Sequence, residues 1–93
     1  MSLLNEAGMF TYVLTDDTIT ITESDGVKAI SIYNGSSTAG TALGTAKLGV
    51  LDPVANSIGE NENWNQVAIA GSVIKNLVIN APAGCTLQIV AQI

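Results

Sequence analysis

The clearest indication of the fold comes from residues 17–33, which read DTITITESDGVKAISIY. In its first part Ile19 and Ile21 alternate with threonines. In its last part Ile30 and Ile32 again share a face, with Lys28 in phase with them nearer the turn. Alternation with a period of two is typical of a half-buried β-strand. The segment SDG between the two parts ends in Gly26, which readily adopts the positive φ of a tight turn. The pattern therefore predicts a β-hairpin.

Working outward from this stretch, the remaining chain also indicates strands and turns. Before it, MFTYVLT (residues 9–15) places Phe10 and Tyr12 on one face of a further strand. After it come three more runs rich in Val, Ile and Leu: VAIAG (67–71), SVIKNLVIN (72–80) and CTLQIVAQI (85–93), with APAG (81–84) as the turn between the last two. Six to eight short strands at this spacing predict an all-β fold, a small antiparallel β-sandwich or barrel. We expect one domain over residues 1–93, with residues 1–8 as an N-terminal arm.

Residues 34–49 are rich in Gly, Ser, Thr and Ala, and Leu43 and Leu48 are the only large side chains among them. A linker is one interpretation, but a long loop, or a loop that encloses a short edge strand, suits a single domain better. The tripeptide Asn34-Gly35-Ser36 fits the N-glycosylation pattern. It is interpreted more simply as a turn.

Composition limits the function. Only 12% of the 93 residues are charged and 47% are hydrophobic, with a net charge of −5 and three lysines as the only cations. Affinity for nucleic acid and for anionic membranes is built from clustered Lys and Arg, so both partners are excluded. We also expect no signal peptide and no membrane-spanning segment. A small chain with so few charges needs reinforcement of its core, and with one cysteine and no histidine we expect this to come from oligomerisation.

The residue types for catalysis and cofactor binding are scarce. Without histidine, Ser-His and Cys-His arrangements cannot form. The acid pairs Asp16/Asp17 and Glu60/Glu62 lie in turn-like segments, where solvated acids are the simpler interpretation. Cys85 opens a strand, as a small inert core residue would. No EF-hand spacing is present, although a calcium site assembled from several loops stays open. We predict no enzyme activity, no metal site and no cofactor.

The kind of function that remains is binding to a partner through the protein surface, and large side chains are the usual anchors of such binding. The predicted interface residues are Phe10, Tyr12, Tyr33, Leu43, Trp64 and Ile93. Trp64 stands in the polar stretch GENENWNQ (59–66), and three roles are open for it. Closing a core edge is placed slightly ahead of anchoring a neighbouring subunit, because a single tryptophan is most often the large residue of a small core. A carbohydrate platform comes third, since such platforms use more than one ring.

The second part of the chain, from VKAISIYNGSSTAGTALG through SIGENENWNQVAIAGSVIKNLVINAPAGCTLQIVAQI, resembles small jelly-roll-like β-sandwich virion proteins of tailed bacteriophages. These are capsid decoration, cement or head-fibre-base proteins. The resemblance covers roughly residues 27–93. It implies a jelly-roll-like fold and a non-enzymatic structural subunit, expected as a homotrimer, that binds the major capsid protein or another virion protein. The implied location is the capsid surface of the virion, after synthesis in the host cytoplasm.

The alternative hypothesis is a carbohydrate- or receptor-binding β-sandwich module of a tail, a fibre or a cell surface. Similar sandwiches serve many functions, so fold class alone does not decide between the two.

Overall fold

The computed structural model describes residues 8–44, 55–68 and 71–93. It confirms the all-β class: six antiparallel strands form one curled sheet, in keeping with a small sandwich or barrel. The strands are β1 (Met9–Thr22), β2 (Ala29–Asn34), β3 (Gly40–Gly44), β4 (Ala55–Ile58), β5 (Asn63–Val67) and β6 (Asn76–Gln92), with a 3₁₀ turn at Glu23–Asp25.

The sheet is organised around β6, the longest strand. Except for residues 82–85, it pairs along its length on one side with β1. On its other side, the beginning of β6 pairs with β3 and the end pairs with β2. Strand β4 then lies beyond β3, and β5 lies beyond β2, which gives the order β4-β3-β6-β2-β5.

Both long strands bend at the same level. The register passes from Thr15 opposite Thr86 to Asp17 opposite Ala81, so β1 has one extra residue there and β6 has four, residues 82–85. The extra residue of β1, Asp16, has a φ of 50°. Unequal lengths of this kind bend strands and increase their twist. The bend divides the sheet into a first half, with β2 and β5, and a second half, with β3 and β4.

The two halves enclose one hydrophobic core. Alternate residues of each strand point inward, as the period of two requires, and those of both halves belong to a single buried cluster. Its members are Phe10, Leu14, Ile21, Val27, Ile30, Ile32, Ala42, Ile58, Ile74, Leu77, Ile79, Ala81, Cys85, Leu87, Ile89 and Ala91. The two long bent strands β1 and β6 therefore hold the halves together covalently as well as by packing.

A buried polar residue, Asn34, fixes the end of β2. Its side-chain nitrogen Nδ2 donates hydrogen bonds to the carbonyl oxygens of Thr38, at 2.9 Å, and Ile58, at 2.8 Å. Its Oδ1 accepts from the backbone N–H of Ser36 at 2.9 Å and from the Ser36 hydroxyl at 2.5 Å. The Ser36 hydroxyl in turn accepts from the N–H of Thr86 at 3.1 Å. The turn interpretation of Asn34-Gly35-Ser36 is thus confirmed, because the folded protein buries the amide that glycosylation needs.

The alternation predicted for residues 17–33 is confirmed, but the hairpin is wrong. Ile21, Ile30 and Ile32 are buried, and the threonines of β1 are exposed. Strands β1 and β2 nevertheless do not pair with each other, because the end of β6 lies between them and pairs with both. Alternation specifies which face of a strand is buried and leaves its neighbour open. The connection turns through a 3₁₀ turn, in which the Thr22 N–H donates to the Asp25 carboxylate at 2.7 Å.

Several further boundaries differ from the prediction. Residues 9–15 and the first part of the stretch 17–33 belong to one strand, β1, and the strand expected over residues 72–80 begins only at Asn76. The segment APAG is not a turn between two strands, since β6 continues from residue 76 to residue 92 and these residues belong to its bend. The prediction fails there because Pro and Gly accompany bulges as well as reversals. A short strand within residues 34–49 is confirmed as β3, but it lies between β4 and β6 and is not an edge. Residues 45–49, most of the N-terminal arm and part of VAIAG lie outside the described residues.

Candidate interaction surfaces

Of the acidic residues that looked like candidate catalytic pairs, Asp16 and Asp17 lie within strand β1, at its bend, and Glu60 and Glu62 lie in the connection between β4 and β5. The Asp17 carboxylate accepts from the N–H of Thr18 at 2.8 Å. The Glu62 carboxylate accepts from the N–H of Gly59 at 2.6 Å and so closes the turn between β4 and β5. Among the residues that the structure describes, no three His, Cys, Asp or Glu side chains come together as a metal site would require. The prediction of solvated acids missed these hydrogen bonds to the backbone.

The thiol of Cys85 lies in the core. The residue is fully buried, and its Sγ is 4.0 Å from Oδ1 of Asn34. Its position next to the bend of β6 matches the prediction of a small core residue. Burial in apolar surroundings keeps a thiol away from solvent and from reagents.

Three of the predicted interface residues line one groove. Phe10, Tyr12 and Ile93 contribute to a groove of about 490 Å³ that runs beside β1, at the open margin between the two halves of the sheet. Phe10 is mostly a core residue, at 6% exposure, whereas Ile93 is 41% exposed. The other lining residues are Ile19, Thr20, Ile21, Ser24, Asp25 and Ile89. The groove is therefore largely apolar, with a carboxylate and hydroxyls at one end.

The other three predicted residues lie apart. Trp64 is half-buried on the inward side of β5 and packs against the core, so its predicted role at a core edge is confirmed. Tyr33 points outward from β2, and its hydroxyl donates to Oδ1 of Asn61 at 3.0 Å. Leu43 lies in β3, opposite Val78 of β6, but its side chain is outside the described residues.

The outward side of the first half forms a surface without charge. Four strands contribute to it in three registered rows of four residues. The rows are Met9, Gln92, Ala29 and Val67; Thr11, Val90, Ser31 and Asn65; and Val13, Gln88, Tyr33 and Asn63. We call these twelve residues the uncharged face. None of them is an Asp, Glu, Lys, Arg or His residue.

The uncharged face holds most of the exposed large apolar side chains. Val13 and Val67 are each 61% exposed and Met9 is 41% exposed, and with Ile93 they are the exposed large hydrophobic residues of the described chain. Sequence analysis missed these three, because they are neither aromatic nor in a long apolar run. Their place in the strand would have shown it. Met9 and Val13 alternate with Phe10 and Leu14, and successive side chains of a strand point to opposite faces, so one of the two sets had to face outward.

Among the residues that the structure describes, charge is confined to bends, turns and the ends of strands. None of the strands β2 to β6 contains a charged residue, and β1 has only Asp16 and Asp17, at its bend. In the described part of the chain, β1, β4 and β5 each pair with a strand on one side only. Of these three edge strands, β4 and β5 contain neither charged residues nor prolines.

No helix among the described residues is long and apolar enough to cross a membrane. Comparison of the chain with protein-family models, with curated proteins and with solved structures found no match. Proposals about function therefore rest on the residues of this chain and their geometry.

Proposed function

We propose that this chain is a non-enzymatic structural subunit that works by assembling with copies of itself. The observation that carries the proposal is the placement of charge: strands β2 to β6 have none, although the chain as a whole has a net charge of −5. Soluble monomers with open sheets usually protect their edges with lysine, proline or bulges. Edge strands β4 and β5, which lack charges and prolines, suit a protein whose surfaces are covered by neighbouring subunits.

The setting that we propose is the virion of a tailed phage, with the chain on the capsid surface as a homo-oligomer, expected as a trimer. Support for this setting is the resemblance of residues 27–93 to decoration, cement and head-fibre-base proteins, together with the all-β fold. The partners are then other copies of the chain and the major capsid protein or another virion protein. Nucleic acid and membrane are not proposed as partners, because three lysines and no arginine supply little attraction to phosphate.

The oligomeric state tests this proposal. Sedimentation equilibrium and light scattering at micromolar to high micromolar concentration should give a mass that is a multiple of the 9.5 kDa chain. A strict monomer over that whole range would contradict a self-assembling subunit. Adjacency of the gene to a major capsid gene would support the capsid setting, and adjacency to tail genes would move the proposal to the tail.

The groove beside β1 favours a second candidate function, a carbohydrate- or receptor-binding module. Tyr12 supplies an aromatic wall and Asp25 and Ser24 supply polar groups, which is the usual composition of a small-ligand site. Binding on a glycan array that is lost in Tyr12→Ala and kept in Trp64→Ala would support this function, because Trp64 does not line the groove. No binding to any glycan would leave the structural subunit as the proposal.

A further inference from the structure

We propose that the uncharged face is the surface through which copies of this chain bind one another. This inference rests on the proposed function and deepens it, since it names both the surface and the occupant: the same face of a second copy. Three observations carry it, namely the exposure of its apolar residues, its shape, and the position of the charges around it.

The exposed apolar side chains are concentrated here. Three of the four large hydrophobic residues that the described chain leaves exposed belong to this face. They lie among uncharged Thr, Ser, Gln, Asn and Tyr residues of four neighbouring strands. Interface centres are depleted of charged residues and enriched in Met and aromatic residues relative to the remaining surface. The face has no charged residue, and it includes one methionine and one aromatic residue, Met9 and Tyr33.

The shape of the face suits contact with itself. A shallow depression of about 310 Å³ lies on it, with Ala29 and Ser31 of β2 in its floor and Met9 and Val67 at its margins. Small residues in the centre and larger ones at two sides give a surface with both a hollow and projections. Two identical sheets that meet face to face can insert the projections of each into the hollow of the other, as sheets do when they pack.

The placement of charge leaves this face open to a second copy of the chain. Every copy has a net charge of −5, so copies repel each other wherever their acids approach. The described carboxylates lie at the bend of β1, in the 3₁₀ turn and in the turn between β4 and β5, and none belongs to the uncharged face. Contact through this face is thus the approach that brings two acidic molecules together with the least repulsion.

The size of the face sets the strength of a single contact. Four strands about 4.8 Å apart and three rows about 6.8 Å apart cover about 400 Å² per copy. Two such faces bury less than the standard protein interface, so we expect one contact to be weak, with a dissociation constant in the micromolar range or above. Contact of a face with the same face of a second copy is two-fold, so an assembly larger than a dimer would use a further surface as well.

The test compares two double variants by sedimentation equilibrium. Val13→Lys with Val67→Lys places two cations per copy on the face, and Ser37→Lys with Ala83→Lys adds the same charge at exposed positions elsewhere. Both variants lower the net negative charge equally, so a difference between them cannot come from overall repulsion. We expect the face variant to raise the dissociation constant about tenfold or more, since its lysines would be buried without partners, and the control to leave it unchanged. Circular dichroism checks that both variants fold.

A milder variant, Val13→Thr with Val67→Thr, keeps the shape and the strand preference of valine and should weaken association several-fold. On dilution of the wild type, amide NMR shifts should change first at Thr11, Ser31 and Val90. If the wild type associates and the face variants associate equally well, or if the control is weakened as much, the uncharged face is not the interface and the proposed function stands. If the wild type is a strict monomer, the proposed function fails and this inference with it.

Discussion

Replacing Asn34 with alanine removes the side chain that joins the end of β2 to β4 and to the turn at residues 34–38. Four hydrogen bonds are lost, two donated by Nδ2 and two accepted by Oδ1, at a site that is fully buried. At about 1 kcal/mol of net stabilisation for each bond, the free energy of unfolding should fall by about 4 kcal/mol. A chain of this length has about 5–14 kcal/mol in total. The loss is therefore a large part of the stability.

The assay is thermal and urea unfolding followed by circular dichroism. For a domain of this size, the loss corresponds to a fall in the Tm of about 15 to 30 °C. Ser37→Ala is the matched control in the same turn, because Ser37 is exposed, and it should change the free energy of unfolding by less than about 0.5 kcal/mol. If the free energy of unfolding of Asn34→Ala lies within about 1 kcal/mol of the wild-type value, this hydrogen-bond network does not hold the two halves of the sheet together.

Asn34→Asp sharpens the same prediction. The carboxylate keeps the acceptor role but would face the carbonyl oxygens of Thr38 and Ile58, to which Nδ2 now donates. Burial and these oxygens should raise the pKa of the introduced carboxyl above its unfolded value. A raised folded-state pKa means that stability is largest at pH below the unfolded pKa and is lost as the pH rises. We expect the deficit relative to wild type to grow from pH 4 to pH 7, and a deficit that is independent of pH would contradict this.

Two further predictions concern the core. The Cys85 thiol should react with a disulfide reagent at least about a hundredfold more slowly in the native protein than in denaturant, because it is fully buried, and fast native labelling would contradict its place in the core. Gly40→Ala should cost about 1–3 kcal/mol in urea unfolding, because its Cβ would lie 2.9 Å from a methyl of buried Leu87 and 3.1 Å from the carbonyl oxygen of Asn80. In the control Gly35→Ala the added Cβ would meet only the half-exposed ring of Tyr33, and an equal cost in both variants would contradict crowding against Leu87 and Asn80 as the cause.

Some parts of the fold could be predicted from single segments of the sequence. Isoleucine alternates with threonine in residues 17–22 of β1, and with alanine, serine and tyrosine in β2. This alternation predicted extended strands and their buried sides, and the structure confirms both. The position of Trp64 at a core edge also followed from its being a lone tryptophan in a small domain. These predictions succeed because each depends on which side of one strand faces the core, and the local period of two determines that.

The interaction surfaces were less accessible to sequence analysis. Of the predicted interface residues, Phe10, Tyr12 and Ile93 meet at one groove, while Tyr33 and Trp64 lie on opposite sides of the sheet. The uncharged face went unrecognised because its rows take one residue from each of four strands, which are far apart in sequence. A surface of this kind exists only after strand order and register are known.

Alternation of apolar residues and overall composition were enough to predict a β protein with little charge, and the composition contains no histidine for acid–base chemistry. It also determined which side chains of each strand are apolar. Three features became visible only in the folded chain. Strand β6 separates β1 from β2, and residues 82–85 bend β6 instead of ending it. Met9, Val13 and Val67 share one exposed surface. The physical reason is that alternation restricts only the two faces of a strand. The choice of neighbour depends on hydrogen bonds and packing between residues far apart in the chain, which no local pattern records.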